Sequence, residues 1–213
     1  MFGIEGGTTS NRRKTMSIPH ERVFFTSDFH FDHRNIIAYC QRPFASVEEM
    51  NESLIERFNE TVGTSDTVYI LGDLVMGRDL SCVERLNGRK FLLMGNHDRL
   101  PPEAYEAIGV EVIRENGVKA KEFQYEGFRI VHSPALIMRE VFPAIRDMPD
   151  GYQVAQRMGI LNGISPPCVC GHVHNIFRKL GNFVNVSVDV WDYRPVLWEA
   201  VRETFQEPDS VFI

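Results

Sequence analysis

The sequence predicts an α/β domain, and three observations carry that reading. Five short apolar runs have the length and the β-branched or aromatic content of buried strands: Val23-Phe24-Phe25-Thr26, Val68-Tyr69-Ile70-Leu71, Phe91-Leu92-Leu93-Met94, Phe128-Arg129-Ile130-Val131 and Cys168-Val169-Cys170. Helix-patterned stretches separate the first three, and strand–helix–strand alternation implies parallel pairing with right-handed crossovers. Every run leads into Asp, Asn or His, as Asp28-Phe29-His30, Gly72-Asp73, Gly95-Asn96-His97-Asp98, His132 and Gly171-His172-Val173-His174. In open α/β folds ligands bind beyond the carboxyl ends of the strands. The five strands therefore deliver polar residues to one edge.

Taken in order, Met1 to Ser17 show no apolar period and read as a flexible N-terminal tail, leaving residues 18–213 as a single domain. Its Arg12-Arg13-Lys14 triplet is more economically a solvated charge run than a nucleic-acid contact. After the first polar block, Ile36, Ile37 and Tyr39 suggest a short apolar helix, and Arg42-Pro43-Phe44 a loop. Ser46 with Glu49 three residues on is a capping-box signature. It opens a helix whose Val47, Met50, Leu54 and Phe58 recur at three- and four-residue steps, one buried stripe. A strand over Thr67–Leu71 and a short helix near Leu80 to Leu86 follow, closed by Asn87-Gly88. The second half changes character. Val118 to Tyr125, Glu126-Gly127, then Phe128 to Val131 reads as a hairpin, so part of the sheet structure is antiparallel. Phe183 to Val190 reads as a further strand. The segment 134–166 carries no polar block, and long segments of this kind commonly form lids. It is expected to cap the site, the plainer alternative being a surface flap or dimer contact.

Composition narrows the function classes. A chain of 213 residues, 43% hydrophobic and 24% charged, can bury the core of one ordinary globular domain. Its net charge of −6 disfavours a protein whose main task is gripping nucleic-acid backbone. No apolar run reaches the length of a membrane helix and no signal-peptide core stands at the N-terminus, so a cytoplasmic location without membrane contact is expected. Cys40, Cys82, Cys168 and Cys170 lack C-x-x-C spacing and read as reduced, buried residues.

The polar blocks are a metal-ligand inventory. Asp28, His30, Asp73, Asn96, His132, His172 and His174 exceed what one four-coordinate ion with an open position needs. They suit two ions bridged by a carboxylate, and imidazole, carboxylate and amide oxygen together suit Mn, Fe, Zn, Co or Ni. Asp28/His30 and His172/His174 are i, i+2 pairs, which share a face in an extended chain. The adjacent glycines signal that the chain does turn. Two metals about 3.5–4 Å apart are equipped for in-line displacement at phosphorus and provide hydroxide near neutral pH. With Asn96 taken as a ligand, His97 is left to protonate the leaving group, and Asp98 to hold its imidazole in one tautomer. Any single block, Gly-Asn-His-Asp excepted, would be as well explained by an ordinary turn. Five in order are not.

This order of motifs, spanning residues 28 to 174, resembles the calcineurin-like metallophosphoesterases, and the stretches from Phe31 to Ile37 and from Asn185 to Pro195 resemble its small single-domain members. The one departure is Ser133-Pro134 after His132, where many members have glycine or a bulkier residue. The resemblance implies a four-layer α/β/β/α sandwich of two mixed sheets with helices outside. It implies one metal on Asp28, His30, Asp73 and His174 and another on Asp73, Asn96, His132 and His172, Asp73 bridging. His97 would act as acid or transition-state stabiliser. The expected activity is hydrolysis of a small phosphate mono- or diester, with His33 and Arg34 as candidate substrate contacts, Arg34 through bidentate hydrogen bonds. A nuclease is the nearest rival, opposed by the acidic balance. A non-catalytic scaffold on this fold is opposed by the intact ligand set and His97. Oligomeric state is left open by the sequence.

Overall fold

The computed structural model describes residues 21–137 and 160–212. The tail over 1–17 and the middle of the 134–166 segment, residues 138–159, lie outside the described residues.

The first sheet is built from β1 (Val23–Thr26), β2 (Thr67–Ile70), β3 (Arg89–Leu92) and β4 (Val110–Val112), all parallel. Short crossover helices link them: α1 (Arg34–Tyr39) and α2 (Val47–Thr61), then α3 (Ser81–Glu84), then α4 (Pro102–Glu106). A small hairpin, β5 (Arg114–Glu115) with β6 (Val118–Lys119), leads to the second sheet. That sheet holds β7 (Glu122–Tyr125), β8 (Phe128–Val131), β9 (Cys168–Cys170), β10 (Phe177–Leu180), β11 (Phe183–Asn185) and, at its edge, β13 (Ser210–Val211). It is mixed, since β9 runs parallel to both β8 and β11 while the hairpins β7–β8 and β10–β11 are antiparallel. The chain returns through β12 (Val196–Leu197), which adds to β1 antiparallel, and α5 (Trp198–Thr204).

Strand alternation divides the core between layers. Phe24, Val68, Ile70 and Leu92 pack outward against Met50, Leu54 and Phe58 of α2. Between the sheets Phe25, Leu71 and Leu93 meet Ile130, Val169, Val184 and Trp198. Cys168, Cys170, Phe177 and Phe183 cover the far face of the second sheet, against Ile137, Leu161 and Ile164. Adjacent residues such as Phe24 and Phe25 enter different cores because successive strand side chains point to opposite faces. This is the α/β/β/α sandwich with its two mixed sheets. Ser46 accepts the Glu49 N–H at 3.2 Å as the capping signature requires, while the Glu49 carboxylate reaches back to the Ala45 N–H at 2.8 Å. Among the described residues no helix is long and apolar enough to cross a membrane.

Two strand expectations are corrected. Val118 to Tyr125 is not one strand. Asn116 and Gly117, at φ 51° and 82°, form a tight turn that pairs Val118 and Lys119 back onto Arg114 and Glu115, and only Glu122–Tyr125 joins β8. Phe183 to Val190 likewise ends its ladder at Asn185. There the side-chain amide donates to the carbonyls of His174 and Phe177 and its oxygen accepts from the Ser187 N–H. The chain then tightens into a 3-10 turn over Val188–Val190, which swings Asp189 toward the site.

Candidate metal centre

All seven expected ligands come together where the carboxyl ends of β1, β2 and β3 face those of β8 and β9. The local backbone explains how. Asp28, His30, Asp73, His172 and His174 have φ of 60°, 51°, 53°, 71° and 46°. The left-handed region is costly for residues with a side chain, and clusters of such residues mark functional sites. Each such residue bends the chain as it leaves a strand, and the side chains gather at one sheet edge. Glycine permits the close packing this demands. A Cβ on Gly171 would lie 2.7 Å from Asp28 Oδ2, and one on Gly95 would collide with the Asp73 carboxylate.

The ligand atoms fall into two groups sharing Asp73. In one, Asp28 and His30 are buried and His174 half-buried, within reach of a common centre. Asp28 Oδ2 is already satisfied by the Ser27 hydroxyl at 2.5 Å and the His172 N–H at 2.9 Å. Asp28 Oδ1 and His30 Nε2 are buried with no hydrogen-bond partner. A buried polar atom left without a partner is costly, and two of them on ligand-type residues aimed at one place fit a cation. In the other group His132 Nε2 lies 2.9 Å from Asn96 Oδ1, 3.2 Å from His172 Nδ1 and 3.5 Å from Asp73 Oδ1. His132 Nδ1 sits 2.6 Å from the Leu71 carbonyl, which can only accept, so the proton belongs there and Nε2 keeps its lone pair. Across the centre Asp73 Oδ2 is 3.5 Å from His30 Nε2. Burial pushes the Asp73 carboxyl up, but the neighbouring His30 and His132 imidazoles and the His97 N–H outweigh it and hold the carboxyl below the usual range.

His97 and Asp98 are both at the site, but not as a couple. The His97 N–H donates to Asp73 Oδ1 at 2.9 Å, its ring lies 5.2 Å from that of His30, and its Nδ1 is buried without a partner. Asp98 does not orient that ring. Its carboxylate accepts the N–H groups of Asp73, Leu74 and Gly95 at 2.8–2.9 Å, with the Tyr105 hydroxyl at 3.4 Å. Being backbone-committed, it ties the loop after β2 to the loop after β3. Of the two candidate substrate contacts, His33 is at the site and Arg34 is not. His33 Nδ1 lies 3.2 Å from His30 Nδ1, and burial with the nearby His30 and His97 charges lowers its pKa to about 4. It stands beside His30 in the same cavity. Arg34 is exposed at the start of α1, where its charge acts on Glu48.

Two residues essential to this geometry have no motif of their own. Arg42, in the stretch read as a loop, is buried and forked: it donates to both Asp189 oxygens, at 2.7 and 3.0 Å, and to the carbonyls of Asp28 and Phe29. Asp189 in turn accepts from His174 Nδ1 at 2.8 Å and the Ser187 hydroxyl at 3.0 Å. Burial alone would raise the Asp189 carboxyl, but the His174 hydrogen bond and the Arg42 charge bring it down to about 2. A charged carboxylate on Nδ1 leaves His174 Nε2 to face the metal position. The available signal was an acid inside the apolar run Val186 to Val190.

Comparison with known proteins gives this arrangement a family. The profile described as calcineurin-like phosphoesterase matches residues 21–172. The chain belongs to the calcineurin-like phosphoesterases. An uncharacterised protein of Methanocaldococcus jannaschii is 33% identical over 191 residues, covering 87% of this chain and 92% of that one. The gene 66 protein of Mycobacterium phage L5 is 35% identical over 96 residues, 41% of this chain and 46% of its own. Among solved structures, a protein of unknown function from Aquifex aeolicus superposes with a TM-score of 0.58 at 22% identity, over 86% of this chain and 98% of that one, a likeness of fold. Family membership implies metal-dependent phosphoester hydrolysis, and the His and Asp groups here are the kind that bind the divalent ions such enzymes use.

Proposed function

We propose that this protein is a two-metal phosphoesterase acting on a small phosphate mono- or diester. The observation that carries the reading is the pair of buried, otherwise partnerless ligand atoms, Asp28 Oδ1 and His30 Nε2, set across Asp73 from the His132–Asn96–His172 group. Asp28, His30, Asp73 and His174 would hold one ion, and Asp73, Asn96, His132 and His172 the other. Two divalent ions in such sites neutralise phosphoryl charge and supply hydroxide near neutral pH. The protein does the rest. Asp73 would serve both ions, and its own position is fixed through Asp98 and the His97 N–H. His97, which lines the cavity beside His30 and His174, gives its proton to the leaving-group oxygen. His33 steadies His30, and Asp189 steadies His174.

A small substrate is favoured over nucleic acid because the chain carries a net charge of −6, whereas phosphate-backbone binding relies on a basic face. Protein purified without chelator should retain divalent metal approaching two ions per chain, and added Mn²⁺ should support hydrolysis of phosphate mono- or diesters that EDTA abolishes. Metal-free protein inert toward a broad ester panel under every divalent ion tried would overturn the reading. Polymeric DNA or RNA cut far faster than any small ester, with a steep salt dependence, would replace it with a nuclease.

A further inference from the structure

Two cavities open onto the metal centre and meet at His172. One, of about 420 Å³, contains His30, His97 and His174, and its outer wall is Tyr39 and Ile176. These are two of only four large hydrophobic side chains exposed among the described residues, Tyr39 at 71% and Ile176 at 42%. Both belong to ordered elements beside the site. Tyr39 ends α1, its ring standing edge-on to that of His33 at 6.2 Å, and the Ile176 N–H is held by the Val173 carbonyl at 2.9 Å. Exposed apolar side chains scattered singly need no explanation, but two walling one cavity beside catalytic groups mark a place for an apolar ligand group.

The other cavity, of about 580 Å³, contains Asn96 and His132, and its wall carries Lys119 and Lys121. The intervening Ala120 is buried, its N–H bonded to the Ile113 carbonyl at 2.9 Å. Both lysines are exposed and line this cavity. Among the described residues neither lysine forms an ion pair, whereas Arg22, Arg42, Arg57, Arg85, Arg89 and Arg114 all do. Two uncommitted ammonium groups at the mouth of a phosphate site suit an additional anion.

Building on the phosphoesterase reading, we infer that the substrate is a phosphodiester with two unlike arms: an aromatic or apolar leaving arm against Tyr39 and Ile176, and a second arm bearing an anionic group toward Lys119 and Lys121. The direction follows from His97, which lines only the Tyr39 cavity of the two, so the oxygen it protonates departs on that side. Hydrolysis then breaks the bond from phosphorus to the aromatic-side oxygen, water supplies the hydroxyl that stays on phosphorus, and the anionic arm remains on the phosphate product.

Binding tests the aromatic arm directly. Phenylphosphonate and methylphosphonate should be titrated calorimetrically into the Mn²⁺-loaded protein. An aromatic contact adds to the burial of the ring, so phenylphosphonate should bind on the order of ten-fold tighter. Tyr39→Ala should erase most of that preference and Tyr39→Phe should keep it. For the anionic arm, phenyl 3-carboxypropyl phosphate should be hydrolysed with a higher kcat/KM than phenyl butyl phosphate. The doubly substituted Lys119→Ala, Lys121→Ala protein should lose that advantage, along with its sensitivity to salt. Equal affinity for the two phosphonates, or preferences untouched by these substitutions, would overturn the two-armed site while metal-dependent turnover of phenyl esters left the phosphoesterase reading standing. Loss of all metal-dependent phosphonate binding and turnover would remove both.

Discussion

The two halves of the proposed metal centre use the same ligand chemistry but are held by different materials. In the Asp28–His30–His174 half, side chains orient the ligands: Ser27 on Asp28, His33 on His30, and the buried Arg42–Asp189 pair on His174. In the Asn96–His132–His172 half, backbone contacts dominate: the Leu71 carbonyl fixes His132 and the His172 N–H is bound to Asp28. The first half is also the more deeply buried, whereas Asn96 is exposed. A half held by side chains can be loosened by single substitutions at a distance. A half held by backbone and open to water should release its ion more readily, and should be disturbed only through its ligands.

The largest expected effect erases the distinction. Asp73 faces both halves, with Oδ1 3.5 Å from His132 Nε2 and Oδ2 3.5 Å from His30 Nε2. Asp73→Asn should therefore lose most metal from both positions and nearly all activity. Metal content measured by plasma emission would decide the point: two ions per chain with activity intact would remove the bridging role. His97→Ala should do the opposite, retaining both ions while turnover falls roughly 10²–10⁴-fold, the usual span for a general acid. That loss should shrink for nitrophenyl esters, whose leaving group needs no proton. A uniform loss across leaving groups would make His97 a charge stabiliser instead.

Asp189→Asn tests the comparison itself. It keeps the shape but removes the charge behind His174, and outer partners of metal ligands commonly contribute 10–100-fold in affinity. One ion should weaken by about that factor in a competitive-chelator titration while the other holds. Asn96→Ala should produce the mirror image, weakening the more open half alone. If either variant lowers both affinities equally, the halves are one unit and the contrast drawn from their construction is wrong. Arg42→Met is expected to act on folding as well, because it strands the buried Asp189 carboxylate; breaking a buried pair from one side costs about 3–5 kcal/mol. Thermal melting of the EDTA-treated protein would register that loss independently of metal.

This contrast also explains what could be read from the sequence. Asp28, Asp73, Asn96, His132 and His172 stand out because each follows a short apolar run, and three of them follow a glycine directly, Gly72, Gly95 and Gly171. The sheet edge converts that one-dimensional pattern into proximity, so the layered fold and the clustering of these residues were legible. The Arg42–Asp189 bond was not, since its partners lie 147 residues apart and neither terminates a recognisable strand. Asp98 was misassigned for a related reason. Adjacency to His97 suggested a side-chain couple, but the left-handed turns at the strand ends offer unpaired N–H groups, and those claimed its carboxylate. The broken strand at Ala120 went unseen because Asn116-Gly117, a strong turn dipeptide, competes locally with the alternation that continues through Val118.

The smallest effect expected supplies the control, an ion pair remote from both halves. Asp66 is buried near the start of β2, where its carboxylate takes the Arg22 guanidinium at 2.6 Å and the Gly63 N–H at 2.8 Å. Burial pushes this carboxyl up, but the Arg22 and Gly63 hydrogen bonds outweigh it and the net shift is downward. A carboxyl whose folded pKa is depressed stabilises the fold above its unfolded value, near 3.9, and loses that contribution as pH falls through the folded value. Arg22 is half-exposed, so solvent screening should limit the pair to at most about 1 kcal/mol. Melting temperatures of the wild type and Asp66→Asn should therefore differ modestly at pH 7 and converge as pH drops below about 4, both measured with EDTA so that metal release does not enter. Metal affinity at neutral pH should be the same in the two proteins. A gap in melting temperature that persists unchanged into the acid range would mean that Asp66 contributes through shape rather than charge, and a change in either metal affinity would show that the centre is sensitive to strand ends well beyond its own loops.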